Sequence, residues 1–293
     1  KDSDLPEGAY EAAVHYLFHG GRPDAVRAAT PQEHWARFAR VLDRLGRPEA
    51  SLRVVHVAGT NGKGTTTALV DAMLRAANLR TGLFTSPHLH TFRERMRVHG
   101  RAVTKSEVVV ALGRIRPALD EEEVLSPFEK LTALALACFQ DAGAQWAVLE
   151  TGLGGRWDST NHCRAPVAAG LCRVGMDHVA VLGPTLAHIA REKAGVIKAG
   201  VPAFAVGQRP EVRAEFEAAA AAAGVELQWA SAGADPWVLR AREMAAARGG
   251  ALPLWLEPAH QQDNMALACC LVRAALAAAR TAGPGPGAAA PGE

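Results

Sequence analysis

The sequence predicts an α/β fold, a mostly parallel sheet flanked by helices. Three observations carry that expectation. The apolar, β-branched run Val54–Ala58 turns through Gly59-Thr60-Asn61-Gly62-Lys63-Gly64-Thr65 into a segment with Leu69, Val70, Met73, Leu74 and Ala77 at helical spacing. A second run, Trp146–Glu150, ends in a carboxylate and leads into Thr151-Gly152-Leu153-Gly154-Gly155-Arg156. Further apolar runs at 166–174 and 201–207 alternate with helical patterns, the signature of parallel strands joined by crossover helices.

The elements follow in order. Residues 1–50 read as helical, with a capping box at Thr30-Pro31-Gln32-Glu33 and an apolar face of Trp35, Phe38, Leu42 and Leu45. Gly46-Arg47-Pro48 ends that helix and the first strand follows. Thr81–Ser86 reads as a short strand running into Pro87-His88-Leu89. The segment His90–Gly100 holds Arg93, Arg95, Arg97 and His99, and reads either as a solvated loop or as a loop that meets an anion. Thr104–Glu107 and Ser126–Glu129 are two more capping boxes. The helix after the second is apolar nearly all round and should be buried, so Glu129 reads as a cap rather than a catalyst. Beyond Asp177-His178, the helix after Gly183-Pro184-Thr185 has Leu186, Ile189, Ala190 and Lys193 on one face. A lysine there either snorkels to solvent or is a desolvated, reactive amine, and the second reading is preferred. Pro210–Ala223 is an alanine-rich helix. Residues 225–258, with Trp229, Trp237 and Trp255, suggest an antiparallel edge. His260–Asn264 opens a last amphipathic helix, and a Gly/Pro/Ala tail from Gly283 is expected to be disordered.

Composition excludes several classes. The formal net charge is +2 and no long basic block occurs, so no nucleic-acid surface is expected. No apolar run reads as a membrane span, and the polar opening from Lys1 shows no signal-peptide pattern. Cys138, Cys163, Cys172, Cys269 and Cys270 are odd in number and include no Cys-x-x-Cys pair. They read as reduced packing thiols of a cytoplasmic protein, without a zinc site.

The stretch from Val54 to Thr67 is the chemical centre. A strand, a glycine loop with one lysine and a helix N-terminus together make a phosphate cradle. The loop departs from the standard P-loop pattern, with Val57 where the first glycine belongs and Gly64 where Ser or Thr should follow the lysine. Thr65 offers a hydroxyl for magnesium, and Glu150 ends its strand where nucleotide-binding α/β folds commonly hold that ion.

Together these motifs resemble the folylpolyglutamate synthase and dihydrofolate synthase family of the Mur ligase superfamily. The resemblance rests on Gly59–Thr65, Thr85-Ser86-Pro87-His88-Leu89, Phe128–Ala133, Glu150–Asn161, Asp177-His178, Leu182–Lys198 and His260-Gln261 with Asn264. It runs from about residue 10 to residue 280. It implies a P-loop-type sheet, the central ATPase domain of that superfamily, over residues 1–282 with the tail at 283–293. It implies ATP and Mg2+ as cofactors, and L-glutamate with a folate or dihydropteroate as substrates. The implied reaction runs through an acyl phosphate. Gly59, Thr60, Asn61, Gly62, Lys63, Gly64, Thr65 and Asn264 are the implied nucleotide contacts. Thr65, Ser86, Glu150 and His178 are the implied metal residues, and Lys63, Lys193 and His178 the implied catalytic ones. Lys193 matches a lysine that is carbamylated in the family, and Phe128 and Arg156 are assigned to the substrate. A monomer is expected. The family's second, Rossmann-like domain has no recognisable motif here, so the chain is expected to need it from elsewhere or to be an ATP-binding remnant. A Mur ligase acting on cell-wall precursors is the remaining alternative, disfavoured by the Ser86–Leu89 and Phe128-Glu129 motifs.

Overall fold

Strand β1 (Arg53–Ala58) lies inside the sheet and is buried on both faces, as a near-continuous apolar run requires. In the computed structural model, residues 5–20, 23–122, 124–247, 253 and 256–281 are described. The described strands form one eight-stranded sheet. Strands β2 (Thr81–Phe84), β5 (Trp146–Glu150), β1, β6 (Ala168–Leu171), β7 (Ala203–Val206) and β8 (Leu227–Ala230) run parallel in that spatial order. Strands β3 (Met96–Val98) and β4 (Arg101–Ala102) extend the β2 edge antiparallel.

Helices cover both faces. Helix α4 (Lys63–Ala76) follows β1 directly and packs Val70 and Leu74 against Val55, Val57 and Val148. The long helix α11 (Ala259–Thr281) lies along α4 and over β6 and β7. On the other side, α1 (Ala9–His19), α3 (Pro31–Arg44), α5 (Lys105–Asp120) and α6 (Pro127–Asp141) enclose a core around Phe38, Phe84, Ile115 and Phe139. Helices α8 (Leu186–Ala194) and α9 (Pro210–Ala223) cover β6 and β7. Short helices α2 (Pro23–Ala28) and α7 (Val179–Leu182), with α10 (Pro236–Ala247), complete the described α-helices.

The three capping boxes are formed. Thr30, Thr104 and Ser126 each accept from the backbone N–H three residues on, and the glutamate there caps in return. Glu129 is therefore a cap, and it also meets His34 Nδ1 at 3.1 Å.

Three expectations need correction. Among the described residues, the 225–258 region forms no antiparallel edge. It supplies β8, which pairs parallel with β7, because α9 carries the chain back over the sheet as a crossover. The antiparallel strands lie at the opposite edge, in the Arg- and His-rich segment. There Met96-Arg97-Val98 alternates buried and exposed. His99 and Gly100 both adopt positive φ, the two-residue turn that suits a hairpin. Finally, one run does have a membrane span's length and apolarity. It is α11, half of which is buried inside the fold. Trp255 and the 283–293 tail lie outside the described residues.

Gly82 shows how closely β2 and α6 pack. A Cβ there would lie 2.4 Å from the ring of Phe139, which is fully buried. Gly82→Ala is expected to destabilise the protein by about 1–3 kcal/mol through overpacking. Urea unfolding should show a lower midpoint at unchanged slope; an unchanged midpoint would mean that the ring moves aside freely.

Candidate active site

The carboxyl ends of β2, β5, β1 and β6 meet at one edge of the sheet, where the crossover leaving β1 runs to β2 and the one leaving β5 runs the opposite way to β6. Ligands of open α/β sheets bind at such a switch point. The turn from β1 into α4 fills the gap. Gly59 has φ +145, and a Cβ on it would lie 2.6 Å from Cys172 Cβ. Gly62 has φ +92 as the N-cap of α4, and a Cβ there would lie 2.3 Å from Asn264 Oδ1. These are positions only glycine occupies without strain.

The turn divides its amides between two tasks. Thr60 N and Asn61 N both donate to the Arg173 carbonyl, at 2.9 and 3.1 Å, and tie the loop to the end of β6. The first-turn amides of Lys63, Gly64 and Thr65 have no partner within the helix. They form a ready anion site at the positive end of α4. Of the eight residues expected to contact a nucleotide, Thr60 and Asn61 thus have their amides committed to the Arg173 carbonyl, while those of Lys63–Thr65 have no partner within the helix.

Lys63 turns back over its own loop. Its Nζ donates to Thr60 O at 3.2 Å and stands 3.8 Å from Glu150 Oε1. Glu150 closes β5, is 2 % exposed, and accepts from Ser86 N at 3.1 Å. Burial pushes its carboxyl up to about 7, against the pull of Lys63, the Ser86 amide and Arg95. The end of β2, the end of β5 and the first turn of α4 therefore converge on one carboxylate. A Cβ on Gly64 would lie 3.5 Å from Glu150 Oε2, so the missing side chain leaves room beside it. Thr65 stands half-buried in the same turn.

Lys193 approaches from the other side. It is 3 % exposed near the end of α8, and its Nζ donates to Gly59 O at 2.8 Å. Burial, then the charge of Lys63, pulls its ammonium down to about 8. Asn264, near the start of α11, is buried against Gly62 and donates to Gln261 Oε1 at 2.9 Å. Phe128 lies against Gly152, where a Cβ would be 2.5 Å from its ring, and 5.5 Å from the Phe84 ring.

Two assigned residues stand apart from this cluster. His178 is exposed with φ +48, and its ring Nε2 is 3.5 Å from Asp177 Oδ2, not against Glu150. Arg156 is exposed and stacks over Trp157, 5.2 Å from that ring's centre.

Sequence reasoning missed several supports. Asp158 is buried and accepts from Gly152 N, Leu153 N, Thr160 N and Thr160 Oγ1 at 2.5 to 3.0 Å. Thr160 Oγ1 in turn lies 2.8 Å from His56 Nε2 on β1, so His56 is the donor. Burial pushes the His56 imidazolium down to about 3, which keeps the ring neutral. Arg95 donates to His88 Nδ1 at 2.9 Å and adds positive charge near Glu150. Asp158 and Thr160 were visible as polar residues beside the glycine motif. Nothing in the sequence linked them to His56.

The donors present fit magnesium. Among the described residues no group of three or more His, Cys, Asp or Glu side chains gathers for a metal. One buried carboxylate, bonded to the Ser86 backbone N–H and next to the first turn of α4 that carries Thr65, is the sparse oxygen set that suits an ion shared with phosphates. The raised Glu150 carboxyl has a single ion-pair cation among the described residues, so a divalent cation would supply charge that the site lacks.

No family model matches the chain. Among curated proteins, a Bacillus subtilis protein described as dihydrofolate synthase/folylpolyglutamate synthase is 41% identical over 181 residues, 60% of this chain and 42% of the relative. The chain spans less than half the length of the curated relatives it matches. Among solved structures, a folylpolyglutamate synthase (FPGS)–AMPPCP–folate complex superposes with TM-score 0.79 at 27% identity, covering 92% of this chain and 68% of that one. Mycobacterium tuberculosis folylpolyglutamate synthase complexed with ADP and AMPPCP superposes at TM-score 0.70 and 31% identity, covering 83% and 59%.

The raised Glu150 carboxyl has a consequence for metal-free protein. A carboxyl whose folded pKa lies above its unfolded value favours folding fully below about pH 4.5. That stability is lost as pH rises toward 7. Glu150→Gln is expected to remove a fall on the order of 2 kcal/mol across that window. Denaturant titrations of both proteins in chelator at pH 4.5 and 7 read the difference; parallel pH curves would refute it.

Proposed function

We propose, from its similarity in sequence and fold to folylpolyglutamate and dihydrofolate synthases, that the chain binds Mg-ATP at the β1–α4 turn and joins L-glutamate to the carboxylate of a folate or dihydropteroate. The observation that carries the reading is the convergence of Lys63, Glu150 and the unpaired amides of α4 at the carboxyl edge of the sheet. An ammonium, a helix N-terminus and a buried carboxylate suit a metal-bound polyphosphate and little else.

In this reading, Lys63 and the amides of Lys63, Gly64 and Thr65 hold the outer phosphates. Asn264, packed against Gly62, meets the adenine. Glu150, Thr65 and Ser86 would hold the magnesium, whose charge would neutralise the phosphates and stabilise the transferring phosphoryl group. The substrate carboxylate takes the γ-phosphoryl group and ADP leaves. The glutamate amine, having lost its proton, attacks the acyl carbon, an amide forms and phosphate departs. Phe128, on its glycine platform, faces the pterin end. Arg156 belongs to the substrate, and His178 to a second metal reached by movement of the 176–183 segment. Residues 1–282 form the ATP-binding domain of a soluble, cytoplasmic, monomeric enzyme. The relatives favour folate over a cell-wall precursor.

Lys193 is assigned a carbamate. The neutral amine that burial favours is the form that adds carbon dioxide, and the product keeps an N–H for Gly59 O. With 13C-bicarbonate, a carbamate carbon signal is expected to grow as pH rises through 8 and to be missing in Lys193→Arg. An unchanged signal in that variant removes the assignment.

Lys63→Ala and Glu150→Ala should each weaken Mg-AMPPCP binding at least tenfold in calorimetry. Each should also abolish ADP release from Mg-ATP with dihydropteroate and glutamate, product mass identifying the added residue. Retained nucleotide binding in both variants would overturn the site; nucleotide binding without glutamylated product would leave an ATP-binding protein and overturn the ligase.

A further inference from the structure

His34 stands in the opening turn of α3, where three helices meet, and the proposed ligase chemistry does not use it. Its side chain is 19 % exposed. Nδ1 faces the Glu129 carboxylate of α6, 3.2 Å from Oε1 and 3.1 Å from Oε2. Nε2 faces the Val26 carbonyl of α2 at 3.0 Å.

Both ring nitrogens therefore meet oxygens that accept. A neutral imidazole has one N–H and one lone pair, so either tautomer would turn a lone pair onto an acceptor. The imidazolium alone donates on both sides. Each acceptor is also tied into its own helix end. Glu129 Oε2 takes the Ser126 N–H at 2.6 Å as part of the α6 capping box. The Val26 carbonyl belongs to the last turn of α2, where helix carbonyls lack partners of their own. The amide that would reach it in a longer helix, Thr30 N, donates to Glu33 Oε2 at 2.7 Å instead. His34 is thus what satisfies that carbonyl among the described residues.

The charged groups around the ring are Glu129 from α6 and Glu33 and Arg37 from α3 itself, and α2 presents the Val26 carbonyl. The bond to Glu129 holds the imidazolium above the usual histidine value, against the pull of burial and of Arg37.

We propose that His34 is a proton-operated clamp, which when protonated ties the end of α2 to the start of α6 and when neutral lets α2 go. The single N–H left after deprotonation keeps the carboxylate, the stronger acceptor, and the Val26 carbonyl loses its donor. The sign follows from the direction of the shift. The clamp's contribution is fully present below about pH 6.5, the ordinary value, and is lost as pH rises through the higher value of the folded protein.

The test uses the whole chain, 15N-labelled at histidine, with amide exchange of residues 26–30 followed in parallel. At pH 6 the His34 ring is expected to show two protonated nitrogens, and to titrate above the ordinary histidine range. Between pH 6 and 9 the protection of those amides should fall at least fivefold relative to amides of α4. In His34→Gln, which has no ring to titrate, that ratio should stay constant. Glu129→Gln keeps the capping box and removes the charge, so it should lower the His34 titration by about one pH unit. A singly protonated ring at pH 6 would overturn the clamp. So would an equal fall of protection in His34→Gln, or a His34 titration unmoved in Glu129→Gln.

Discussion

The turn that takes the chain out of β1 is the constraint on which the carboxyl edge depends. It needs two residues at positive φ, and each lies where another element presses on the backbone. Gly59 sits against Cys172 at the end of β6, and Gly62 against Asn264 in α11. The loop is therefore gripped from both sides. The grip on Gly62 comes from a helix that joins the chain two hundred residues later, and α11 can reach it because α11 lies along α4. A larger side chain at either glycine would push β6 or α11 away and turn the first amides of α4 off the sheet edge.

Around that turn the charges are unbalanced by design of the packing. Lys63 and Lys193 are both directed at the loop, one onto Thr60 O and the other onto Gly59 O. The helix end adds partial positive charge. Against these stands Glu150, which burial draws toward its neutral form. Burial acts on Lys193 in the opposite sense, toward the neutral amine. Glu150 and Lys193 are thus each drawn toward the neutral form by burial, which leaves Glu150 short of a cation and Lys193 an amine that is readily unprotonated. A polyphosphate with its metal would bring a cation to Glu150 and an anion to Lys63 and the end of α4 together, which is the argument for proposing a nucleotide here rather than a simple anion.

Much of this was legible in sequence because it depends on local rules. The β1–α4 unit follows from a β-branched run, glycines and a 3.6-residue apolar repeat. The capping boxes follow from Ser or Thr three residues ahead of Glu. Lys193 was conspicuous because a lysine on an apolar stripe is costly, and its burial against Gly59 O accounts for it. The β3–β4 hairpin was harder to read, since five charged or imidazole side chains between His90 and Gly100 mask three residues of alternation. The direction of β8 was not legible at all. It depends on α9 crossing back over the sheet, and a four-residue strand carries no mark of its orientation. The His56–Thr160–Asp158 chain spans a hundred residues, so no window along the sequence contains it.

The distance between Glu150 and Lys193 is set by backbone rather than by their side chains. After Glu150 the chain enters the glycine segment, where Asp158 holds the amides of Gly152 and Leu153 and Thr160 ties Asp158 to His56 on β1. The same segment is joined to the end of α8. Arg156 N donates to Glu192 O at 2.8 Å, and Asn161 Nδ2 spans Arg156 O and Gly195 O. A Cβ on Gly155 would lie 2.8 Å from Lys193 O, and one on Gly195 would lie 2.5 Å from Arg156 Cα. Two backbones thus touch without side chains between them. Glu150 and Lys193 are carried on elements locked together at that contact. Their spacing cannot relax independently, so any shift of α8 is passed to the loop that follows Glu150. For two groups proposed to serve one ligand, that rigidity is worth more than another side-chain contact.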